Sequence, residues 1–322
     1  MTRYLAASRV LIVAFALIGA ASTAQAQTGV KPVKPGPAQP AEEAVDEELL
    51  ARALERSLVI TGGVLLPPGQ FEIEPGFQFD YTGRSVIGLV RRETVVASLG
   101  LRVGLPWTSQ LELAVPYGRQ KVETLSGGVS SSVDDSGMGD VQIGLSKELM
   151  SAGRGGTSLI GNITYQNATG DSNLALLGNP ALGTLLSSTS LGAGFDSVQA
   201  TLTAVKRMDP LVFLGSLTHS FNRSTTAGGA DIDPSDSTGA NFRAILATSP
   251  SASLRLGFSL ARSGDLKVNG TPLPGSKQTL GLLELGGSVV ITRRVLFDVT
   301  FAAGLTESAP DFVLGVSLPI RF

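Results

Sequence analysis

Charged side chains recur within C-terminal segments whose apolar residues occupy every second position. Successive side chains of a β-strand point to opposite faces, so these segments carry charges on one face and apolar residues on the other. A charged face could orient a polar solute, or it could close on itself through salt bridges, because unpaired charges in a narrow interior are costly. The charged residues predicted to line the interior are Glu72, Glu74, Asp80, Arg102, Glu112, Arg243, Arg255, Asp298 and Arg321.

Residues that could catalyse a reaction are scarce. The chain has one histidine, His219, and no cysteine. His219 and Ser220 are adjacent, so on a strand their side chains lie on opposite faces and cannot act as a nucleophile and its base. No G-x-S-x-G, H-E-x-x-H or P-loop motif occurs. We therefore expect no enzymatic activity, no cofactor and no metal site.

The composition is apolar and poor in charge. Of 322 residues, 43% are hydrophobic and 16% are charged, and the mean hydropathy is +0.23. Such a chain is too apolar to be disordered. A net charge of −2 argues against a nucleic acid as partner, because binding phosphates needs a concentrated basic face. The apolar surface therefore needs a place to be buried.

The N-terminus carries a targeting signal. Residues 1–26 predict a secretory signal peptide, in which Arg3 and Arg9 precede the apolar residues 10–20 and a small-x-small cleavage site ends at Ala26. The apolar run is too short for a transmembrane helix, which needs about 20 residues.

Two short segments follow the signal peptide. Residues 27–40 predict an extended, proline-rich linker. Residues 41–62 predict a short periplasmic helix, with Val45, Leu49 and Leu58 on one apolar stripe. This helix either packs on a larger domain or plugs a pore, and the sequence leaves both alternatives open.

From residue 70 to the end, the period of the apolar residues becomes two, and the barrel domain is predicted over residues 63–322. This pattern predicts an all-β fold, a closed antiparallel transmembrane β-barrel of about 12 strands, because membrane strands need about 9–11 residues and a closed barrel pairs every backbone group. The lipid then covers the apolar face. The alternating segments are residues 71–81, 95–103, 111–117, 141–149, 159–165, 198–206, 211–221, 242–247, 254–262, 280–291, 296–305 and 312–322.

The connections between these segments alternate in length, as they do in outer-membrane barrels, where periplasmic turns are short and outer loops are long. Residues 120–137, 224–238 and 264–277 are predicted as outer loops. Proline interrupts ladder hydrogen bonds, so we expect bulges at Pro75, Pro116 and Pro319.

Aromatic residues fall near the predicted strand ends, where amphipathic rings form interfacial girdles. Tyr81, Tyr117, Tyr165 and Phe221 are expected at the outer interface, and Trp107 and Phe322 at the opposite rim. In a ring of twelve strands, acidic residues near the start of the barrel would face arginines from its eighth and ninth strands across the lumen. Such an arrangement predicts either a transverse field for polar solutes or a set of salt bridges.

Two stretches carry a family resemblance: residues 62–75, GGVLLPPGQFEIEP, and residues 305–322, LTESAPDFVLGVSLPIRF. The chain resembles the outer-membrane transporter family named for the meta-pathway of phenol degradation. The resemblance implies an outer-membrane β-barrel and a channel for passive transport of small solutes, aromatic or hydrophobic ones among them. The terminal Phe322 resembles the signal read by the barrel-assembly machinery of Gram-negative bacteria.

The barrel is more distantly similar to Fap-type secretion channels for functional amyloid. That likeness implies an alternative function, a secretion conduit for a periplasmic polypeptide that the N-terminal helix gates. For either function we expect the cell outer membrane as the location. The expected partners are membrane lipid and lipopolysaccharide, the barrel-assembly machinery and a small-molecule solute. A homo-trimer is one oligomeric state that the sequence allows.

Overall fold

The fold is taken from a computed structural model that describes residues 55–83, 89–126, 129–152, 156–170, 172 and 191–322, with residues 89–90, 124–126 and 129–131 described by their backbone alone. The chain divides into two units, Met1–Ala44 and Val45–Phe322, and all described residues belong to the second. The predicted signal peptide, the linker and residues 41–54 of the predicted helix lie outside the described residues. Within them, no helix has the length and apolarity to cross a membrane.

The described chain is almost entirely β-strand, as the alternation predicts. The strands are β1 Phe71–Thr82, β2 Leu89–Leu105, β3 Ser109–Ser126, β4 Val129–Met138, β5 Val141–Met150, β6 Thr157–Asn167, β7 Ser197–Met208, β8 Leu211–Asn222, β9 Thr225–Ala227, β10 Ala230–Asp233, β11 Ser237–Ser249, β12 Ala252–Ser263, β13 Lys267–Val268, β14 Thr271–Pro272, β15 Gln278–Val290, β16 Leu296–Gly304, β17 Phe312–Ser317 and β18 Ile320–Arg321.

Twelve antiparallel strands form a closed barrel, which confirms the predicted fold class. Its order is β1, β2, β3, β5, β6, β7, β8, β11, β12, β15, β16 and a last strand made of β17 and β18. Strand β1 pairs with β2 on one side and with β17 and β18 on the other, which closes the ring. Phe71 and Phe322 stack at this closure with their centroids 4.8 Å apart.

The outward positions carry large apolar side chains that no other described element covers. Exposed examples occur on opposite sides of the ring, such as Leu99, Ile163, Leu217 and Phe242. A water-soluble monomer rarely exposes a contiguous apolar surface of this extent. The apolar half of the alternation therefore faces outward, and the polar half faces the lumen.

The prolines behave differently from the expectation of bulges. Pro75 and Pro116 keep the register of their ladders, opposite Leu99 and Ser98 respectively. Their carbonyl oxygens still accept hydrogen bonds, from the backbone N–H groups of Leu318 and Gly139, so each proline costs its ladder only a donor. The register shifts lie elsewhere, at residues 89–91, 148–150 and 247–249. Only Pro319 interrupts a strand, between β17 and β18.

The prediction of a loop over residues 120–137 is wrong, because most of these residues form strands. Strand β3 continues to Ser126 and pairs with β4 in an antiparallel hairpin that extends beyond the barrel ladder. Cross-strand contacts hold this hairpin. Arg119 bonds the carboxylate of Asp134, and Val122 lies opposite Val133. Alternating side chains therefore continue the sheet where no barrel neighbour is available.

Residues 224–238 and 264–277 also contain strands where loops were predicted. Strands β9, β10, β13 and β14 form a small second sheet, called here the loop sheet. Its centre is Ile232, which is fully buried against Phe195, Leu266 and Leu273. The loops at this end of the barrel thus have a hydrophobic core of their own. The other end has short turns.

Candidate functional site

The lumen is the candidate site, and its best-buried charges surround Arg102 on β2. The guanidinium lies 3.0 Å from Glu72 and 2.5 Å from Glu74. The second carboxylate oxygen of Glu72 lies 3.4 Å from Arg321, which also contacts Glu55 at 3.5 Å. Glu72 is only 1% exposed. Its charge is therefore balanced by arginines from both neighbouring strands, as a buried carboxylate requires.

Another predicted acidic residue of this side, Glu112 on β3, accepts hydrogen bonds from neutral donors. Its carboxylate accepts hydrogen bonds from Ser146 at 2.7 Å and from Gln110 at 3.0 Å. Asn162 donates to the same serine at 2.8 Å. Farther along β1, Asp80 accepts two bonds from Gln78.

Across the barrel, Arg243 on β11 binds Glu284 on β15, at 3.1 Å, although β12 lies between them. The contact passes over Gly257, which is registered with both residues. Glu284 was absent from the predicted lumen residues. Its signal was available, because it alternates with the exposed Leu283 and Leu285 in a period-two segment.

Arg255 and Asp298 form a second pair of the same kind. The guanidinium donates to both carboxylate oxygens, at 3.0 and 3.3 Å, and also bonds Thr300. Both side chains of the ion pair are buried. Among the described residues, the lumen ion pairs run along the barrel wall, and none joins β1–β3 to β11 or β12. Salt bridges, one of the two predicted arrangements, thus form along the described wall and not across the lumen, because a closer partner lies within one or two strands of each arginine.

The short-turn end of the lumen is crossed by residues 55–66, called here the N-terminal segment, of which 55–60 are helical. Arg56 donates four hydrogen bonds, of 2.7 to 3.4 Å, to backbone carbonyls of residues 292–294 and 319. Ser57 Oγ lies 2.7 Å from Ser253 Oγ and 2.6 Å from Ser288 Oγ. Burial and the nearby Arg321 lower the pKa of Arg56, which stays charged because arginine titrates far above neutrality.

Leu58 secures the middle of the N-terminal segment. It packs in a buried cluster on the lumen wall, and beyond it Leu66 N–H donates to Gln110 at 2.8 Å. The segment therefore touches both sides of the opening before it enters β1. The cluster members on the wall are Ile160, Val205, Val212, Leu214 and Ile245.

The wall formed by β5 to β8 is polar but uncharged toward the long-loop end. Its side chains lie in registered rows that cross neighbouring strands. Adjacent members bond each other, such as Gln199 to Ser220 at 3.2 Å and Thr201 to Thr218 at 3.0 Å. One row is Gln142, Gln166, Ser197 and Asn222, and the next is Thr164, Gln199, Ser220 and Ser237.

These two rows line a cavity of about 240 Å³, which Ala193 and Phe195 close from the connection between β6 and β7. We call it the neutral chamber. Asp140 anchors this connection by accepting hydrogen bonds from the N–H groups of Gly170 and Ala193 and from Gln166. Phe195 also packs against Ile232 of the loop sheet. A wider cavity of about 420 Å³ lies on the other side of Phe195, among loop residues.

The residues of the predicted girdle lie at two ends of the barrel. Tyr81, Tyr117, Tyr165 and Phe221 lie toward the long-loop end, whereas Trp107 and Phe322 lie at the short-turn end. All except Tyr81 are exposed. Tyr81 packs against Phe312, and the guanidinium of Arg91 lies 5.5 Å from its ring centroid. Contact of these rings with lipid headgroups stays a prediction.

His219 and Ser220 contact different surroundings, as their adjacency on a strand requires. His219 Nδ1 lies 2.9 Å from Thr238 Oγ1, and its ring packs edge-on against Phe221 on the outer face. Ser220 faces the lumen beside Gln199. In the part of the chain described, no cluster of three or more acidic or histidine side chains could hold a metal ion.

Solved outer-membrane barrels share this fold. The chain has a TM-score of 0.68 with an outer membrane channel from Pseudomonas putida F1, at 18% identity over 80% of this chain and 97% of that one. Its fold is similar to that of an outer-membrane channel. The translocator domain of the autotransporter NalP from Neisseria meningitidis gives a TM-score of 0.51, at 12% identity over 86% of this chain and 97% of that domain.

The two likenesses concern the fold, since both identities are low. No family model matches the chain. The resemblance to the transporter family therefore remains an expectation drawn from residues 62–75 and 305–322.

Proposed function

We propose that this protein is an outer-membrane channel of a Gram-negative bacterium through which small solutes diffuse passively. The observation that carries the proposal is the closed twelve-strand ring with apolar side chains outside and polar side chains inside. A lipid bilayer is the solvent that suits this surface, because it covers apolar residues and a closed barrel leaves no backbone group unpaired. The predicted signal peptide, residues 1–26, would direct the chain to that membrane.

The proposal also covers catalysis, membrane assembly and lipid contacts. The protein acts without catalysis or cofactor, and Phe322 is read by the barrel-assembly machinery. The rings at the two barrel ends contact lipid and, on the outside, lipopolysaccharide. Aromatic or hydrophobic solutes are the class that the family resemblance implies. The size of the folded protein in detergent would distinguish a monomer from a homo-trimer.

The N-terminal segment acts as a plug in this proposal. Arg56 is held by carbonyls at one side of the opening, and Leu58 is held by apolar side chains of the wall. Together these contacts obstruct the short-turn end, which would face the periplasm. The contacts of Arg56 and Leu58 support a plug role for the predicted segment 41–62.

Conductance in planar lipid bilayers tests the channel. The full chain is compared with its Arg56→Gln and Leu58→Asp variants, which weaken the plug from its polar and apolar sides. We expect a small current from the wild type and a current several-fold larger from both variants. Arg293→Gln is the matched control, because only the backbone carbonyl of this residue binds Arg56. Absence of ion current from every folded variant would contradict the channel.

The same plug supports a second candidate function, the secretion conduit. A periplasmic partner that binds residues before 55 could withdraw the segment and open the barrel to a polypeptide. Passive diffusion and secretion differ in one measurement. A diffusion channel lets small solutes swell proteoliposomes without any partner, whereas a conduit admits cargo only when the partner is present.

A further inference from the structure

We propose that the neutral chamber is a binding subsite for uncharged, polyhydroxylated solutes of monosaccharide size. This inference rests on the proposed channel and names the solute class that the channel selects. It differs from the aromatic class implied by family resemblance, because it is argued from the side chains that line the lumen.

The chamber is lined by amides and hydroxyls in two rows of the same register. Each side-chain amide offers hydrogen-bond donors and an acceptor, and each hydroxyl can donate or accept a hydrogen bond. Gln142 lies 3.3 Å from Gln166, and Gln199 lies 3.2 Å from Ser220, so neighbouring groups already form hydrogen-bond partners. A solute with several hydroxyls can replace such bonds group by group as it moves along the wall.

The lack of charged side chains in the chamber selects against ions. None of the described side chains that line it is charged. The carboxylate of Asp140, next to the chamber, already accepts hydrogen bonds from the Gln166 side chain and from two backbone N–H groups. Moving an ion into a neutral site without a counter-charge is costly. A charged sugar derivative should therefore bind less tightly than its neutral parent.

Apolar solutes are disfavoured for a different reason. An aromatic hydrocarbon would displace water from Gln142, Gln199 and Asn222 and would offer no hydrogen bonds in return to the capacity that their wall partners leave unused. Sites built for hydrogen bonding reject analogues that lack the matching groups. Phe195 supplies one ring that can pack on the apolar face of a sugar. The volume of about 240 Å³ lies below the ~300–1,000 Å³ of sites for drug-sized ligands, which limits the solute to a small one.

Direct binding to the purified full-length protein tests the subsite without requiring an open channel. Saturation-transfer NMR is measured with methyl glucoside, with gluconate as the anionic analogue and with benzyl alcohol as the aromatic one. We expect methyl glucoside to bind more tightly than both. The double variant Gln142→Leu/Gln199→Leu should weaken its binding roughly tenfold, because two hydrogen-bonding side chains are lost.

Gln78→Leu is the matched control, because Gln78 faces the lumen from β1 and does not line the chamber. It should leave methyl glucoside binding unchanged. If the double variant fails to fold, Ser220→Ala replaces it, with an expected loss of a few-fold.

Three outcomes would overturn the inference: tighter binding of benzyl alcohol or gluconate, an equal loss in Gln78→Leu, or no sugar binding to a protein that conducts ions. The last outcome leaves the proposed channel intact. Sugar binding without any conductance in the plug variants would instead support the subsite and contradict the channel.

Discussion

Arg255 donates hydrogen bonds to both carboxylate oxygens of Asp298, although their strands are not neighbours. Strand β15 lies between them, and Gly286 is the residue of β15 registered with Arg255. A Cβ atom at Gly286 would lie 2.8 Å from Nη2 of Arg255. The absence of a side chain on the middle strand therefore lets the arginine reach across it. Gly257 provides the same passage between Arg243 and Glu284.

Gly286→Ala should destabilise the barrel. The added methyl group pushes a guanidinium that Asp298 and Thr300 hold in place, and overpacking of this kind costs about 1–3 kcal/mol. The free energy of unfolding, measured by urea titration in lipid vesicles, checks the value. Gly315→Ala is the control, since the nearest atoms to its Cβ would be 3.9 Å away. Equal effects at both glycines would show that the crossing does not matter.

A disulfide between Ser57→Cys and Ser288→Cys should lock the plug. The two hydroxyl oxygens lie 2.6 Å apart, which brings the side chains close enough for a cystine, and the chain has no other cysteine. In the Leu58→Asp background, oxidation should abolish the enlarged current, and a reducing agent should restore it.

Ser253→Cys with Ser288→Cys is the matched control for this lock. Its hydroxyls are 2.7 Å apart, yet both belong to the barrel wall. Oxidation of this pair should leave the current unchanged. If it closes the channel as well, the effect comes from the wall and not from the plug.

The loop sheet should respond to acid through Asp233. The hydrogen bond from Lys267, at 2.9 Å, together with the N–H of Ser235, lowers the pKa of this carboxyl. A group whose pKa is lowered by folding stabilises the fold above its ordinary value, about 3.9, and this contribution is lost as pH falls through the lowered pKa. The pairing of β10 with β13 should therefore hold at neutral pH and weaken only below about pH 4.

Cleavage of this loop by pepsin across the acidic range measures the effect. Both side chains are well exposed, so the change should be small. Asp233→Asn should remove the pH dependence, and Asp265→Asn in the same loop should retain it. A wild type that opens already at pH 6 would contradict the assignment to this carboxyl.

Phe322→Ala should reduce insertion into the outer membrane more than Phe71→Ala does. The two rings stack on each other, so either substitution removes the same contact at the barrel closure. Only the first removes the terminal aromatic residue that the assembly machinery is proposed to read. Folded protein in isolated outer membranes provides the measurement. Equal losses would assign the effect to packing alone.

The fold could be predicted from the sequence to a large extent, because a half-buried strand repeats every two residues wherever it lies in the chain. That periodicity located the twelve barrel strands and identified residues, such as Arg102 and Asp298, whose side chains face the lumen. It did not locate β4 or the loop sheet. The short strands of the loop sheet, such as β13 at Lys267–Val268, depend on partners that lie far away in sequence.

The partners of the charged side chains could be identified only from the tertiary structure. The position of a residue in the alternation determines which face of the sheet its side chain occupies. Whether an arginine can contact a carboxylate across a glycine depends on the register between strands. For this reason Arg243 was predicted in the lumen while its partner Glu284 was missed.

The sequence by itself determined that this chain alternates apolar and polar residues over most of its length, and with its loop lengths this pattern predicts a barrel with an apolar outside and a polar interior. Only the tertiary structure decided how that interior is divided. Strand order placed the charged residues on one part of the wall and neutral amides and hydroxyls on β5 to β8. It also brought Ser57 within 2.7 Å of two serines about 200 residues away, because closure of the ring is a long-range event that no local pattern encodes.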